Sequence, residues 1–326
     1  MRVTRRTVTV IGLGLIGGSI LRAAARAGHD CRGFDHDPAT RAAAREAGTS
    51  GREDGDPAPG GWRIDDSPAT AADGADLIVL AVPPAALPAV LGPLAGHPGI
   101  VTDVASVKQP ALAAARPAGV RFVAGHPMAG RELSGFAAGD AALFEDRPWV
   151  LCLDEPTVLA DWLAVAEFAR SLGARVVPAT AAEHDDAVAR VSHLPHLAAT
   201  ALAAQAAGPL PASLAAGSFA DGTRVAASAP ALWADICAAN APAVRAALDR
   251  LIADLTAARA ALDPPASASA LEPWFGTGHA VRADWPPTAG RPVPVPPERD
   301  ALLALGRAGG WLTDITGTEL TAVLPR

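Results

Sequence analysis

Two stretches of this sequence carry residue types that together suit redox chemistry with a proton-accepting partner. Gly12, Gly14 and Gly17 have the spacing G-x-G-x-x-G, which binds the pyrophosphate of a dinucleotide when it lies between a strand and a helix. His126 lies in the string G-H-P-M-A-G over 125–130, where glycine and proline predict a loop. Because imidazole titrates near neutral pH, His126 is a candidate proton acceptor for chemistry at a bound redox dinucleotide.

The sequence around the glycines favours a dinucleotide site over an ordinary turn. A β-branched run at 7–11 comes directly before them, and an alanine-rich stretch at 19–27 with helical character follows. In that order the glycines allow a tight turn, a close approach of the backbone to phosphate and close packing of the helix. Leu15 and Ile16, inside the motif, and Val82, which ends a later predicted strand, are predicted to contact the same cofactor.

Asp35 predicts which dinucleotide binds. It ends the second predicted strand, about 20 residues beyond the glycines, where a carboxylate accepts hydrogen bonds from the ribose 2′-hydroxyl. The same charge repels the 2′-phosphate of NADP, so NAD is the predicted cofactor. Arg32 and Arg41 lie nearby in the sequence and keep NADP open as the alternative.

The string D-V-A-S-V-K over 103–108 directly follows another predicted strand. It is therefore expected at the carboxyl end of a parallel sheet, where ligands bind in this class of fold. Ser106 is predicted to cap the N-terminus of a helix over 107–115. Lys108, the only lysine of the chain, is predicted to contact the nicotinamide cofactor or the substrate or, alternatively, to be a solvated residue of the first helical turn.

These motifs need a scaffold, and alternating strand and helix patterns predict one. Residues 1–179 predict an α/β domain with a Rossmann-type, doubly wound, mostly parallel sheet. The Gly-, Pro- and Asp-rich segment 48–61 predicts a surface excursion. Further strands are predicted at 31–35, 76–82, 100–104, 121–124, 149–153 and 174–178, and further helices at 39–47 and 157–171.

The pattern changes after residue 179. Residues 180–262 have almost no strand signal and long Ala- and Leu-rich stretches, which predict an all-α domain. Residues 263–297 are rich in Pro, Ala, Ser and Gly and predict a linker. The last segment, 298–326, predicts one helix at 301–307 and one or two strands, and it is too short for a core of its own.

Composition argues against several classes of partner and site. The 326 residues carry a formal net charge of −7, which disfavours nucleic acid or an anionic membrane as the main partner. Cys31, Cys152 and Cys237 are odd in number and far apart, which predicts reduced thiols rather than disulfides or a metal site. No stretch is long and apolar enough to cross a bilayer, so a cytoplasmic protein is expected. Its expected partner is a small-molecule substrate.

Four strings, taken in their order along the chain, resemble the prephenate/arogenate dehydrogenase family of tyrosine biosynthesis. They are D-V-A-S-V-K, G-H-P-M-A-G-R-E, S-H-L-P-H over 192–196 and F-A-D-G-T-R-V-A-A-S-A-P-A-L-W over 219–233. With the nucleotide turn, the likeness covers residues 7 to about 260. The resemblance implies a homodimer in which a Rossmann-type domain joins an interlocking helical dimerisation domain. It also implies NAD-dependent oxidation of prephenate to 4-hydroxyphenylpyruvate, with loss of carbon dioxide as the ring becomes aromatic. No metal is expected, because the histidines are scattered apart from His193 and His196 and no cysteine lies near these two.

The resemblance further implies roles for individual residues. His126 would accept the proton of the ring hydroxyl, whereas its alternative role is to anchor the loop. Arg224 would bind a substrate carboxylate through its planar guanidinium, with a plain surface arginine as the alternative. Ser192 and His196 would contact the substrate side chain. Ser106 would orient the substrate hydroxyl or the nicotinamide by hydrogen bonding, in addition to its capping role.

Neighbouring positions add further expectations. Arg131 stands where many family members carry Thr, so it would bring an additional positive charge to the substrate pocket. Glu132 would gate the site or pair with an arginine. His193 is expected to pack or to form a structural hydrogen bond. Core packing and helix capping are the roles expected of Trp233, Asp235 and Asn240.

Three other functions stay open. Arogenate, or a related amino-substituted compound, could replace prephenate as the substrate. A β-hydroxyacid dehydrogenase shares the two-domain plan but generally uses a lysine in its helical domain, and this chain has none beyond Lys108. The third is a non-catalytic NAD-binding dimer that acts as a regulator, against which the set Ser106, His126 and Arg224 argues. The tail is shorter than the ligand-sensing domain of some family members, so feedback by tyrosine through it is not expected.

Overall fold

The chain divides into two units. The first comprises Met1–His184 with Gly290–Leu324, and the second comprises Asp185–Ala289 with Pro325–Arg326, so the boundary predicted after residue 179 lies close to the observed one. Most of the excursion expected at 48–61, and Glu132, lie outside the described residues. The computed structural model describes residues 4–48, 60–131, 133–263, 267–317 and 319–326.

The glycine turn belongs to a parallel sheet of the predicted Rossmann type. Its strands are β1 (Thr7–Ile11), β2 (Asp30–Phe34), β3 (Trp62–Ile64), β4 (Leu77–Leu80), β5 (Ile100–Asp103) and β6 (Arg121–Val123). The connecting helices are α1 (Leu15–Arg26), α2 (Pro38–Gly48), α3 (Pro68–Ala72), α4 (Leu87–Leu91) and α5 (Lys108–Ala115), with 3-10 turns at Pro84–Ala86, Gly92–Leu94 and Arg116–Ala118. The strands pair in parallel in the order β3-β2-β1-β4-β5-β6, which confirms the doubly wound arrangement.

The next strands leave this sheet, which corrects the prediction that they continue it. They are β7 (Gly125–Pro127), β8 (Pro148–Cys152) and β9 (Arg175–Ala179), with a 3-10 turn at Phe136–Ala138 and the helix α6 (Leu159–Ser171) between them. β7 pairs antiparallel with β8, and β8 pairs parallel with β9. The connection explains the change, because only Ala124 separates β6 from β7. A parallel neighbour in the same sheet needs a crossover of roughly a dozen or more residues.

Helices dominate residues 181–283, as predicted for this part of the chain. They are α7 (Ala181–Val188), α8 (Leu194–Ala204), α9 (Pro209–Leu214), α10 (Gly217–Thr223), α11 (Pro230–Ala239), α12 (Ala241–Ala260) and α13 (Ala268–Ala283). A π-helical turn at Ala189–His193 precedes α8, and a 3-10 turn at Arg224–Ala227 follows α10. None of the helices that the structure describes combines the length and apolarity needed to cross a membrane.

The linker predicted at 263–297 is wrong for its central part, which is the helix α13. The side chain of Ser267 accepts a hydrogen bond from the backbone N–H of Ala270 and so caps the start of the helix. Trp274 Nε1 donates to the carbonyl oxygen of Asp254, on α12, at 3.2 Å. Composition predicted a linker because Pro and Gly are frequent there, but the cap and the tryptophan contact support a helix.

The C-terminal segment returns to the first unit. It consists of β10 (Ala289–Val295), α14 (Arg299–Arg307), β11 (Trp311–Thr316) and β12 (Glu319–Pro325), and it extends the second sheet to the order β10-β12-β11-β9-β8-β7. The expected helix and strands are therefore present. As expected, the segment has no separate core, since Leu302, Leu312 and Leu320 are buried in the same apolar cluster as Val8 of β1.

Leu312→Ala tests whether this segment is part of the core of the first unit. Leu312 is fully buried on β11, opposite Val176 of β9, so truncation removes apolar contacts and leaves a cavity. We expect the free energy of unfolding, measured by denaturant titration, to fall by about 2–5 kcal/mol. The control is Leu324→Ala on the adjacent β12, where the residue is 38% exposed and truncation should cost much less. Equal losses in the two variants would contradict the assignment.

Candidate active site

The glycine turn is shaped by contacts that only glycine allows at two of its three positions. Gly12 has a φ of +93°, and a Cβ there would lie 2.3 Å from the carbonyl oxygen of Ala81. A Cβ on Gly17 would lie 1.8 Å from the carbonyl oxygen of Gly12. Gly14 differs, because an added Cβ would meet nothing within 4 Å. The fold therefore requires the first and third glycines, whereas the second leaves the backbone open to a ligand.

The other residues predicted for this site lie around the same turn. Leu15 and Ile16 form the first turn of α1 and pack, half-buried, against the core. Val82 follows β4, and its Cγ1 atom is 3.1 Å from the position that a Cβ on Gly12 would take. Gly14 is the N-cap residue of α1 and contributes no side-chain hydrogen bond to it. The first N–H groups of the helix are therefore available to an anion.

Asp35 is fixed at the end of β2 by two backbone hydrogen bonds. Its carboxylate accepts from the N–H of Leu13 at 2.7 Å and from the N–H of Asp37 at 2.9 Å, and the residue is buried. The first of these bonds ties Asp35 to the glycine turn. Since an ionised carboxylate has about four acceptor positions, Asp35 can also accept hydrogen bonds from a ligand.

The two arginines near Asp35 in the sequence are engaged with other groups. Arg32 forms a two-point ion pair with Asp65, with both N–O distances at 2.9 Å. Arg41 donates from Nη1 to the backbone carbonyl oxygens of Asp35 and His36, at 2.7 and 3.1 Å. The charge of Arg32 is thereby balanced by Asp65, and Arg41 is directed at main-chain oxygen atoms.

A buried ion pair connects the end of β5 to the start of β7. The side chains of Asp103 and Lys108 are fully buried and pair directly. Asp103 Oδ1 accepts from the backbone N–H of Gly125 at 3.1 Å, and Lys108 Nζ donates to the carbonyl oxygen of Gly125 at 2.5 Å. A Cβ on Gly125 would lie 2.9 Å from the carbonyl oxygen of Asp103. Glycine is therefore needed here, and both of its main-chain polar groups are bound directly before His126.

Two expectations for this loop are corrected. Lys108 begins α5 but is not solvated, because its side chain has no exposed surface and its ammonium group pairs with Asp103; its predicted contact with the cofactor stays a prediction. Ser106 does not cap α5, because the N-cap residue is Val107. The Ser106 side chain is half-buried, and its hydroxyl has no hydrogen-bond partner among the described residues, so it is available to a ligand.

His126 lies on β7 beside this ion pair and contacts a second histidine. Its Nδ1 atom is 2.9 Å from Nε2 of His184, and the two rings meet edge to face with their centroids 5.1 Å apart. His184 is buried near the start of α7, whereas His126 is half-buried. His126 therefore combines a fixed ring with partial exposure, as a proton acceptor for a bound substrate requires.

Arg131 lies beside an acid that balances its charge. Its Nη2 atom is 2.5 Å from Asp140 Oδ2, and both side chains are partly exposed. The backbone N–H of Ala142 and the guanidinium of Arg131 hydrogen-bond to Asp140 and lower the pKa of its carboxyl group. The expected extra positive charge is thus neutralised within its own loop. Glu132 lies outside the described residues.

In the helical unit, Ser192 and His196 lie where the π-helical turn leads into α8. His196 Nδ1 donates to the carbonyl oxygen of Ser192 at 2.9 Å, and its ring stacks on Trp233 with an interplanar angle of 20°. These contacts fix the His196 ring and leave Nε2 for a ligand. Arg224 begins its 3-10 turn with an exposed side chain.

His193 and Asn240 form a buried pair within the same unit. Asn240 Nδ2 donates to the carbonyl oxygen of Asp185 at 2.8 Å and lies 3.3 Å from His193 Nδ1. Asn240 is the N-cap residue of α12, but its side chain makes no capping hydrogen bond, so the capping role is corrected to this network. Asp235 is exposed within α11 and neither packs nor caps.

None of the three cysteines forms a disulfide, and Cys31 and Cys152 are buried. Burial raises the pKa of the Cys31 thiol to about 12, which makes this thiol a poor nucleophile. Within the described ranges, no group of three or more His, Cys, Asp and Glu side chains is arranged to hold a metal ion.

Two residues that shape the site were missed by sequence reasoning. His184 is 58 positions from His126 and lies in the string A-A-E-H-D-D, which has no local signal of a partnership. The ion pair of Asp103 could have been predicted, because the only lysine of an arginine-rich chain follows it by five positions. A compact ammonium suits a buried point-charge site better than a planar guanidinium does.

Two family models match the chain. The model described as the nucleotide-binding domain of prephenate dehydrogenase matches residues 20–178. The model described as the dimerization domain of prephenate dehydrogenase matches residues 180–274. The two matches meet close to the observed boundary between the units.

Individual relatives agree with these matches. The chain is 35% identical to cyclohexadienyl dehydrogenase of Zymomonas mobilis, over 78% of this chain and 88% of that one. It is 33% identical to prephenate dehydrogenase of Bacillus subtilis, over 74% of this chain and 66% of that one, so it spans just under two thirds of the second relative. The crystal structure of Synechocystis arogenate dehydrogenase is similar with a TM-score of 0.74 and 27% identity, covering 86% of this chain and 99% of that one.

Lys108→Met tests the role of the buried ion pair. The substitution leaves the Asp103 carboxylate buried without its cation, so we expect the free energy of unfolding to fall by about 3–5 kcal/mol. The double variant Asp103→Asn/Lys108→Met should recover part of this loss, because no buried charge remains. The control is Arg26→Met, which breaks an exposed pair with Glu145 and should cost at most about 1 kcal/mol. A loss no larger than that of the control would show that Lys108 is not a structural cation.

Proposed function

This chain belongs to the prephenate dehydrogenase family, and on that premise we propose that it oxidises prephenate with NAD to 4-hydroxyphenylpyruvate and carbon dioxide. The substrate is a cyclohexadiene that carries a hydroxyl and a carboxylate on opposite ring carbons. Oxidation at the hydroxyl-bearing carbon makes loss of the carboxylate favourable, because the ring becomes aromatic. The product leaves as a phenol, so the reaction is effectively irreversible.

The observation that carries this proposal is the placement of His126. Its strand begins at Gly125, which the buried Asp103–Lys108 pair holds by both main-chain groups, and its ring contacts His184. A half-buried imidazole fixed in this way suits a proton acceptor, since a neutral imidazole can remove a hydroxyl proton near neutral pH. The proton can return to the oxygen atom when the ring becomes aromatic, which regenerates the neutral histidine.

The residues of the glycine turn fit NAD. The open space at Gly14 allows pyrophosphate to approach the backbone, and the N-terminus of α1 favours its negative charge. Asp35 can accept the ribose hydroxyl hydrogen bonds, and Arg32 is occupied by Asp65 rather than directed at a 2′-phosphate. We therefore infer NAD rather than NADP. When bound, NAD supplies the acceptor for the electron pair that leaves the substrate carbon.

Further polar side chains of the protein are assigned to orienting and binding the substrate. The Ser106 hydroxyl can orient the substrate hydroxyl or the nicotinamide, as its open hydrogen-bonding capacity allows. Arg224 can pair with a substrate carboxylate through two parallel hydrogen bonds. Ser192 and His196 are assigned to the substrate side chain, and the stacking of His196 on Trp233 fixes the ring for that contact. Arg131, whose charge Asp140 balances, is assigned a lesser role in substrate binding.

Arogenate is the alternative substrate, and two similar proteins support it by their descriptions. One is called a cyclohexadienyl dehydrogenase and another an arogenate dehydrogenase. The two substrates differ only in the side chain, which carries a keto group in prephenate and an ammonium group in arogenate. A homodimer, in keeping with the description of the second family model, and a cytoplasmic location stay predictions.

Replacing His126 tests the reaction and its proton acceptor together. NAD reduction by the purified protein should be rapid with prephenate and slower with arogenate, measured at saturating concentrations of each. His126→Asn should lower kcat by about 10²–10⁴-fold, because proton removal is lost while NAD affinity is kept. The control His279→Asn changes an exposed histidine of the helical unit and should leave kcat unchanged. Turnover of neither substrate by the unaltered protein would favour the non-catalytic alternative.

Gly14→Ala separates cofactor binding from folding. An added Cβ meets no protein atom within 4 Å and φ is −70°, so we expect an unchanged Tm. The methyl group would occupy the space where pyrophosphate approaches, so the Kd for NAD, measured by calorimetry, should rise by at least about tenfold. Gly92→Ala, also with open space around the added atom, is the matched control and should bind NAD normally. Unaltered affinity in Gly14→Ala would contradict the placement of the phosphates.

A further inference from the structure

We propose that His184 is a positioning residue that fixes the tautomer of His126, so that a substrate meets an unprotonated Nε2 atom. The inference rests on the proposed role of His126 as proton acceptor. No motif in the sequence points to His184, and its contribution follows from the geometry of the pair. His184 is not expected to touch the substrate, since it is only 2% exposed.

The distance between the two rings restricts their protonation. Nδ1 of His126 and Nε2 of His184 are 2.9 Å apart, which is a hydrogen-bond distance. Such a contact needs one proton between the two nitrogen atoms, because two lone pairs or two N–H groups would repel each other. In the neutral pair, one ring must therefore donate and the other must accept.

The chemistry of His126 selects between these two arrangements. Neutral imidazole carries one proton, so a ring that donates from Nδ1 has a bare Nε2 atom that can accept a proton. If His184 donated instead, the proton of His126 would lie on Nε2 and block proton removal there. The productive arrangement therefore has His184 accepting at Nε2, with its own proton on Nδ1.

Burial and the start of α7 hold His184 in place for this contact. Its backbone N–H donates to the carbonyl oxygen of Thr180 at 2.9 Å, which fixes the first turn of α7. Glu183, the adjacent acid, accepts hydrogen bonds from Thr180 and pairs with Arg307 at 2.6 Å. Asp154 accepts from the backbone N–H of Ala181 at 3.0 Å. Both acids therefore stabilise the start of the helix that carries His184.

The same contact stabilises the product of proton transfer. When His126 takes the substrate proton, its Nδ1–H becomes a charge-assisted donor to neutral His184, and such hydrogen bonds are stronger than neutral ones. The contact thus strengthens as charge develops on His126. Removal of the acceptor should consequently lower kcat more than it raises KM.

Two substitutions of His184 test the proposal kinetically. His184→Leu removes the acceptor, and kcat with the better of the two ring substrates should fall by at least about tenfold; in serine proteases a wrong histidine tautomer costs about 10⁴-fold. His184→Gln places an amide oxygen near the former Nε2 position, so it should restore most of kcat. The KM and the Kd for NAD should change little in either variant. The control is His29→Leu, which removes another buried histidine, bonded to Ser171, and should leave kcat unchanged.

The tautomer of His126 can be determined by NMR spectroscopy, without measuring turnover. Long-range ¹H–¹⁵N correlation spectra of ¹⁵N-histidine-labelled protein, with His126→Asn for assignment, should show His126 protonated at Nδ1 and bare at Nε2 near neutral pH. Full kcat in His184→Leu, equal losses in the Leu and Gln variants, or protonation of Nε2 would each overturn the proposal. If His184→Leu does not fold, the spectrum of the unaltered protein still tests the proposal. Failure of the proposed role of His126 would give a different result, namely normal turnover by His126→Asn together with the expected tautomer in the unaltered protein.

Discussion

The geometry of the candidate active site depends on the buried contact between Asp103 and Lys108. An ammonium and a carboxylate without any exposed surface must remain together, because an isolated charge at that depth costs several kcal/mol. Both groups also bind Gly125, one through its N–H and the other through its carbonyl oxygen. The ion pair thereby fixes the point at which the chain passes from the first sheet to the second. His126 is the next residue, so its backbone position follows from this pair.

The second sheet extends the same constraint to the end of the chain. β7 is an end strand of that sheet and pairs with β8, which in turn pairs with β9. The far half of the sheet consists of β10, β11 and β12, and Leu312 contributes from there to the core that also contains Val8. The strand that carries the proposed proton acceptor is thus supported by a segment more than a hundred residues later in sequence. The C-terminal segment is part of the nucleotide-binding unit and not an appendage.

Local patterns predicted most of the fold and the glycine turn, because each depends on neighbours in sequence. The strand–glycine–helix order around Gly14 and the acid at the end of β2 need no distant contact to be recognised. The passage into a second sheet, the burial of Lys108 and the pairing of His126 with His184 depend on contacts between distant segments, which a single sequence does not display. Ser267 shows a smaller failure of the same kind, since one capping hydrogen bond favours a helix where composition suggested a linker.

The most direct test of the central claim, that His126 accepts the hydroxyl proton, is the pH dependence of kcat/KM for prephenate. Only neutral imidazole can take the proton, so the account predicts that log kcat/KM of the unaltered protein rises with a slope of one on the acid side and then levels off. The residual activity of His126→Asn should lack that ionisation over the same pH range. An acid limb of equal slope and midpoint in His126→Asn would contradict the account and assign the proton to another group.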